Sequence, residues 1–178
     1  LGSGVTHLNV GDRVCYGPNL GAYAKHRLLP AARAVKIPET VSDKLAAAIL
    51  MKGMTVEYLL CRTYRVQAGE TVLFYAASGG VGHLAGQWGK HIGATMIGVT
   101  SGPENCASIL KFGYDYALDR KSDNIAQRVH EITDGKGVPV LYDSVGRDSF
   151  EASLNSLSPR GFFISFGATT GEAPAVTP

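Results

Sequence analysis

From residue 69 onward the chain switches repeatedly between short apolar runs and amphipathic segments, and no other feature restricts its fold as strongly. The runs "ETVLFYAA", "ATMIGVT", "YDYAL", "VPVLYDSV" and "GFFISFG" are predicted strands; "VGHLAGQWGKHIG", "PENCASILKFG", "SDNIAQRVHEITDG" and "RDSFEASLNSLS" between them are predicted helices. Strands alternating with helices over short connections form a parallel sheet covered on both faces. The first, second and last strands are nearly continuous in apolar residues, as strands buried on both faces must be. Gly93 and Gly113 stand where helix C-caps are needed before the chain re-enters the sheet. The expected class is therefore α/β, a Rossmann-like doubly wound parallel sheet.

The stretch "AASGGVGHLAG" occupies the carboxyl end of the first of these strands, where open α/β sheets bind ligands. Gly79, Gly80 and Gly82 lack the β-carbons that would hold a diphosphate off the backbone. The amides from Val81 to His83 open a helix and are donors for an anion. Gly80, Gly82 and Ala85 satisfy the G-x-G-x-x-A form of the dinucleotide fingerprint. A glycine-rich structural turn is the plain alternative, and a nucleoside triphosphate loop is disfavoured because no G-K-[ST] follows.

The second strand discriminates between cofactors. An NAD-binding half ends it with an Asp or Glu that accepts from the ribose hydroxyls. Here "GVTSGPEN" offers Val99, Thr100 and Ser101, with Glu104 displaced into the next helix. Arg120, in "ALDRKSD" after the third strand, is brought by topology beside that end and can pair with a phosphate. NADPH is accordingly expected over NADH, although Arg120 and Lys121 also fit a solvated turn.

The remaining loops converge on the same crevice. Ser144 in "YDSVG" follows the fourth strand, and Phe166 and Gly167 in "SFGATTG" follow the fifth. Asp143 is either an acid or an acceptor at a helix N-terminus. Trp88 reads as packing against the sheet, and Tyr58 as a cleft-wall or core residue.

Upstream, "DRVCYG", "GAYAKHRLL" and "RAVKIP" read as β-like runs, too few to close a core alone. After Pro38, Ser42 is placed to cap a helix over "DKLAAAILMKGMTVEYLLC", which Gly53 is expected to break, leaving Thr55 to cap a second piece, with a single interrupted helix as the alternative. The domains read as 1–41, β-rich and partial, and 42–178, Rossmann-type. No apolar stretch is long enough to span a bilayer. A net charge of +2 without a basic cluster argues against nucleic acid. Cys15, Cys61 and Cys106 and the five histidines share no metal-ligand spacing, so no metal site and a reducing, cytoplasmic setting are expected.

A nicotinamide cofactor implies hydride transfer, with the protein supplying position and field. No Cys-His-Glu cluster and no Tyr-x-x-x-Lys pair handles an alcohol proton, so no catalytic residue is assigned. An electron-poor quinone or conjugated enone, whose oxyanion is delocalised on reduction, suits that inventory.

The stretches "GDRVCYGPNLGAYAKH", "KGMTVEYLL", "AASGGVG" and "YDSVG" resemble the zinc-independent quinone oxidoreductases, relatives of zeta-crystallin in the medium-chain dehydrogenase/reductase superfamily. The resemblance implies NADPH-dependent quinone reduction, a homodimer through the cofactor domain, and a GroES-like catalytic domain joined to a Rossmann domain. It implies that the chain is an internal fragment, with its last Rossmann strand missing. Cofactor contacts implied by the resemblance are Tyr58; Gly80 and Val81 for the diphosphate; Ser101 and Gly102 near the adenosine ribose; and Ser144, Phe166 and Gly167 around the nicotinamide. Asn105 stands where bacterial members carry a lysine for the 2'-phosphate, and Arg120 where they carry a tyrosine. An enone or enal reductase of the same superfamily, and a non-catalytic NADPH-binding structural or RNA-binding protein, are the alternatives.

Overall fold

Little regular structure forms in the leading segment. The computed structural model describes residues 1–17 and 19–175. Strand β1 (Val14–Cys15) pairs antiparallel with β2 (Val35–Lys36). "GAYAKHRLL" forms no strand, which corrects that expectation; Tyr23 and Leu28 are fully exposed, so no sheet face is available to reward an extended pairing. The described chain falls into two compact units, Leu1–Met54 and Thr55–Pro178.

Helix α1 (Asp43–Tyr58) begins where Ser42 Oγ accepts from the Leu45 amide at 3.2 Å, the expected cap. It runs through Gly53 unbroken, so the two-helix expectation with Thr55 as second cap is wrong. A single glycine lowers helix stability by about 1 kcal/mol and does not end a helix whose neighbours keep the period. The helix passes into a wide π-helical turn, Leu59–Thr63, whose Leu59 and Leu60 are buried. Tyr142 donates to the carbonyl of Leu59 at 3.0 Å and fastens that turn to the sheet.

Downstream the alternation is realised. The elements are β3 (Thr71–Tyr75), α2 (Gly80–Ile92), β4 (Thr95–Thr100), α3 (Pro103–Ile109), β5 (Tyr116–Asp119), α4 (Ile125–Ile132), β6 (Val138–Asp143), α5 (Phe150–Leu154) and β7 (Leu157–Ser165). The sheet order is β5-β4-β3-β6-β7 and every pairing is parallel. Side chains alternate across it: Val72 and Phe74 join one core with Leu59 and Leu60, while Leu73 and Tyr75 join the other with Ile125 and Val129. Gly93 and Gly113 both close their helical segments in the left-handed region, at φ 91°.

The chain leaves β3 toward β4 and β5 on one side, then crosses to β6 and β7 on the other. The switch point therefore lies at the carboxyl ends of β3 and β6, which locates the crevice.

Candidate functional site

The glycine turn is built to expose backbone. After Tyr75, Ala76 takes φ 53°, uncommon for a residue with a side chain. Ala77 returns to the sheet by donating to Val99 O at 3.0 Å, and Gly79 donates to Ala76 O at 2.9 Å. Gly79 is the extended N-cap of α2 and contributes no side chain to it. The His83 amide, expected among the free donors, instead makes the first helical bond, to Gly79 O at 2.9 Å, because it is the fourth amide after the cap. The amides of Gly80, Val81 and Gly82 precede it, so they have no acceptor within the helix. Gly82 is obligatory on steric grounds: a β-carbon there would lie 2.6 Å from Ala76 O and nearer still to Ala77 O. Ala85 is buried, and one place further on a β-carbon on Gly86 would meet Phe112 O at 2.5 Å.

A second cluster sits at the end of β4. Ser78, in the turn, shares a 2.6 Å hydrogen bond with the hydroxyl of Thr100. Arg120 Nε donates to Ser101 Oγ at 2.5 Å, and its backbone amide to Thr100 O at 2.9 Å. Asn105 donates to Ser101 O at 2.8 Å. A cavity of about 320 Å³ is bounded by Ala76, Ser78, Thr100, Ser101, Asn105 and Arg120 among others. Gly102 caps α3 at φ 86°. The nearby carboxylate, Asp119, accepts backbone hydrogen bonds from Gly102 and Lys121, which hold it below the usual aspartate range. The acid is thus tied to the chain, and a guanidinium and two small polar side chains meet at the cavity.

The β6 and β7 loops meet closely. A β-carbon on Gly167 would lie 3.0 Å from Ser144 Cβ. The Phe166 amide donates to Asp143 O at 2.9 Å, and its ring packs 5.6 Å from that of Phe74. Asp143 is wholly buried and accepts from Val145 N (2.7 Å), Gly146 N (3.1 Å), Ser149 Oγ (2.6 Å) and Ser153 Oγ (2.9 Å). Asp143 is therefore an acceptor, but for two loop amides and two serine hydroxyls and not for amides of a helix N-terminus, and it shapes the loop after β6. Trp88 is half-buried against the core, as expected.

The structure thus brings together Ser101, Asn105 and Arg120 by direct hydrogen bonds, and Ser144 with Gly167 by packing. Gly80 and Val81 open α2 as expected. Tyr58 ends α1 and is 41% exposed, joined to none of these by a described contact. Ala76, Ser78, Thr100, Thr169 and Thr170 also line the cavity and were not singled out as site residues. Ser78 and Thr100 flank motif positions and were legible in principle. Thr169 and Thr170 carried no local signal, because their backbone bonds to Ser144 O and Val145 O exist only once β6 and β7 are paired.

A switch-point crevice with an exposed glycine turn defines a class: a Rossmann-like nucleotide-binding domain of the dehydrogenase type. Comparison with known proteins carries this further. The family described as "Zinc-binding dehydrogenase" matches residues 80–178, and the chain belongs to that family, within the medium-chain dehydrogenase/reductase superfamily. A quinone oxidoreductase of Pseudomonas aeruginosa is 46% identical over 178 residues, covering 99% of this chain and 54% of the relative. A 2-haloacrylate reductase of Burkholderia is 42% identical over 179 residues with the same shares covered. The crystal structure of Escherichia coli quinone oxidoreductase complexed with NADPH superposes with a TM-score of 0.95 at 43% identity, over 99% of this chain and 55% of that one. The chain spans about half the length of the curated relatives it matches.

Despite the family's description, the described residues contain no group of three or more His, Cys, Asp or Glu able to hold a metal ion. Nor is any described helix long and apolar enough to cross a membrane.

Proposed function

We propose that the chain carries the cofactor-binding part of an NADPH-dependent oxidoreductase that reduces a quinone without a metal. The observation that carries this is the Ser101–Asn105–Arg120 cluster beside the glycine turn. A diphosphate held by helix amides and a 2'-phosphate met by a guanidinium require just such a pair of neighbouring donor sets. In this reading Gly80 and Val81 hold the diphosphate; Ser101, Gly102, Asn105 and Arg120 hold the adenosine ribose and its phosphate; Ser144, Phe166 and Gly167 surround the nicotinamide, and Tyr58 adds a further cofactor contact. Residues 1–41 then belong to a GroES-like catalytic domain and 42–178 to the NADPH-binding domain. Bound NADPH supplies the hydride, and the protein's groups orient it and exclude water. The NADPH complex of the Escherichia coli relative supports the cofactor assignment.

β7 ends the sheet, and edge-to-edge pairing of two such domains is the proposed route to a homodimer; light scattering of the wild type tests it. The Burkholderia relative, a 2-haloacrylate reductase, favours a second reading, reduction of a conjugated double bond. Steady-state NADPH oxidation separates them. Turnover with a 1,4-quinone and none with an alkenal or haloacrylate supports the first, and the reverse pattern replaces it with the second. Gly80→Val tests the crevice itself: NADPH affinity is expected to collapse with the fold retained, and wild-type affinity would remove the assignment.

A further inference from the structure

Tyr114 lies in the turn between the 3-10 segment Leu110–Phe112 and β5, thirty-two positions from Gly82, yet its hydroxyl donates to Gly82 O at 2.8 Å. The ring reaches that carbonyl through a slot lacking side chains on both walls. A β-carbon on Gly86 would stand 2.5 Å from its Cε2, and one on Gly98 2.7 Å from its Cδ1. Gly86 is on α2 and Gly98 on β4, so the phenol is threaded between a helix and the sheet and ends on the first turn of that helix. The side chain is 3% exposed. Burial pushes the phenol well above its ordinary pKa, so it remains a donor across the neutral range.

The carbonyl it grips belongs to the peptide whose N–H, that of His83, makes the first hydrogen bond of α2. The amides just ahead of it have no intrahelical partner to fix their direction. Glycines at 79, 80 and 82 leave that backbone with few steric restraints of its own. A tether at Gly82 O supplies the missing restraint from outside the turn. From this geometry we infer that Tyr114 is a positioning residue: by holding the Gly82–His83 peptide, its hydroxyl orients the amides of residues 80–82 toward a diphosphate. The inference rests on the reading of that turn as the diphosphate site.

Tyr114→Phe removes the hydroxyl and leaves the ring in its slot, so the fold is retained. Binding is measured for NADPH and for adenosine 2'-monophosphate, which carries the 2'-phosphate but no diphosphate. The expected result is a loss of about three- to tenfold in NADPH affinity, the size of one hydrogen bond, with adenosine 2'-monophosphate bound as in the wild type. KM for NADPH rises in step while kcat is unchanged. Amide hydrogen exchange across residues 79–86 of the ligand-free protein accelerates in the variant. Unchanged NADPH affinity, or equal losses for both ligands, overturns the inference. Gly80→Val distinguishes the two levels: if it binds NADPH normally, the diphosphate reading fails and the role of Tyr114 with it. If it does not, while Tyr114→Phe binds normally, only the tether is lost.

Discussion

Arg120 and Ser101 lie nineteen positions apart in sequence and are joined by a 2.5 Å hydrogen bond from the guanidinium Nε to the hydroxyl. The bond uses one guanidinium donor and leaves the terminal nitrogens for an anion at the cavity's edge. It also makes the pair a unit, since Asn105 holds the carbonyl of the same serine.

Arg120→Gln should therefore lower NADPH affinity about five- to tenfold, a charge-assisted contact discounted for solvent exposure. NADH affinity should stay within twofold of the wild type. Fluorescence titration with both nucleotides checks this; equal losses would show that Arg120 does not face the 2'-phosphate.

Gly82→Ala presses a methyl group into the carbonyls of Ala76 and Ala77, neither of which can rotate away. The expected cost is about 1–3 kcal/mol of stability, read by urea denaturation, together with loss of NADPH binding. Gly53→Ala is the control. A β-carbon there meets nothing within 4 Å, and α1 should gain up to about 1 kcal/mol.

Asp143→Ala leaves two backbone amides and two serine hydroxyls without their buried acceptor. A loss of about 3 kcal/mol or more is expected in chemical denaturation. A variant with wild-type stability and no activity would return Asp143 to the role of a catalytic acid.

Alkaline pH should destabilise the fold. The hydrogen bond to Glu70 raises Tyr64 to about 12, and burial raises Tyr75 to about 12. Burial acts upward on Tyr142 as well. A phenol whose folded pKa exceeds its unfolded value of about 10 contributes stability that is complete below that value. It is lost as the pH rises from about 10 through the folded pKa. Denaturation midpoints at pH 8 and pH 11 measure the effect, and identical midpoints would contradict it.

The alternation of strands and helices after residue 69, the C-cap glycines and the glycine turn that opens α2 were all readable along the chain, because each is a local matter. Periodicity selects the element, and a missing β-carbon selects the conformation. The same local reasoning misjudged Gly53 and "GAYAKHRLL", where packing or its absence outweighed intrinsic preference. Asp143 shows the limit of the sequence most clearly. Its residue type allowed two roles, and only four donors converging from α5 and the β6 loop chose between them. The Tyr114 tether, the Arg120–Ser101 bond and the threonines after β7 likewise arise from side chains that meet only when parallel strands pair across long crossovers. Distance in space, unlike period or propensity, is not a property of neighbouring residues, and so it belonged to the tertiary structure alone.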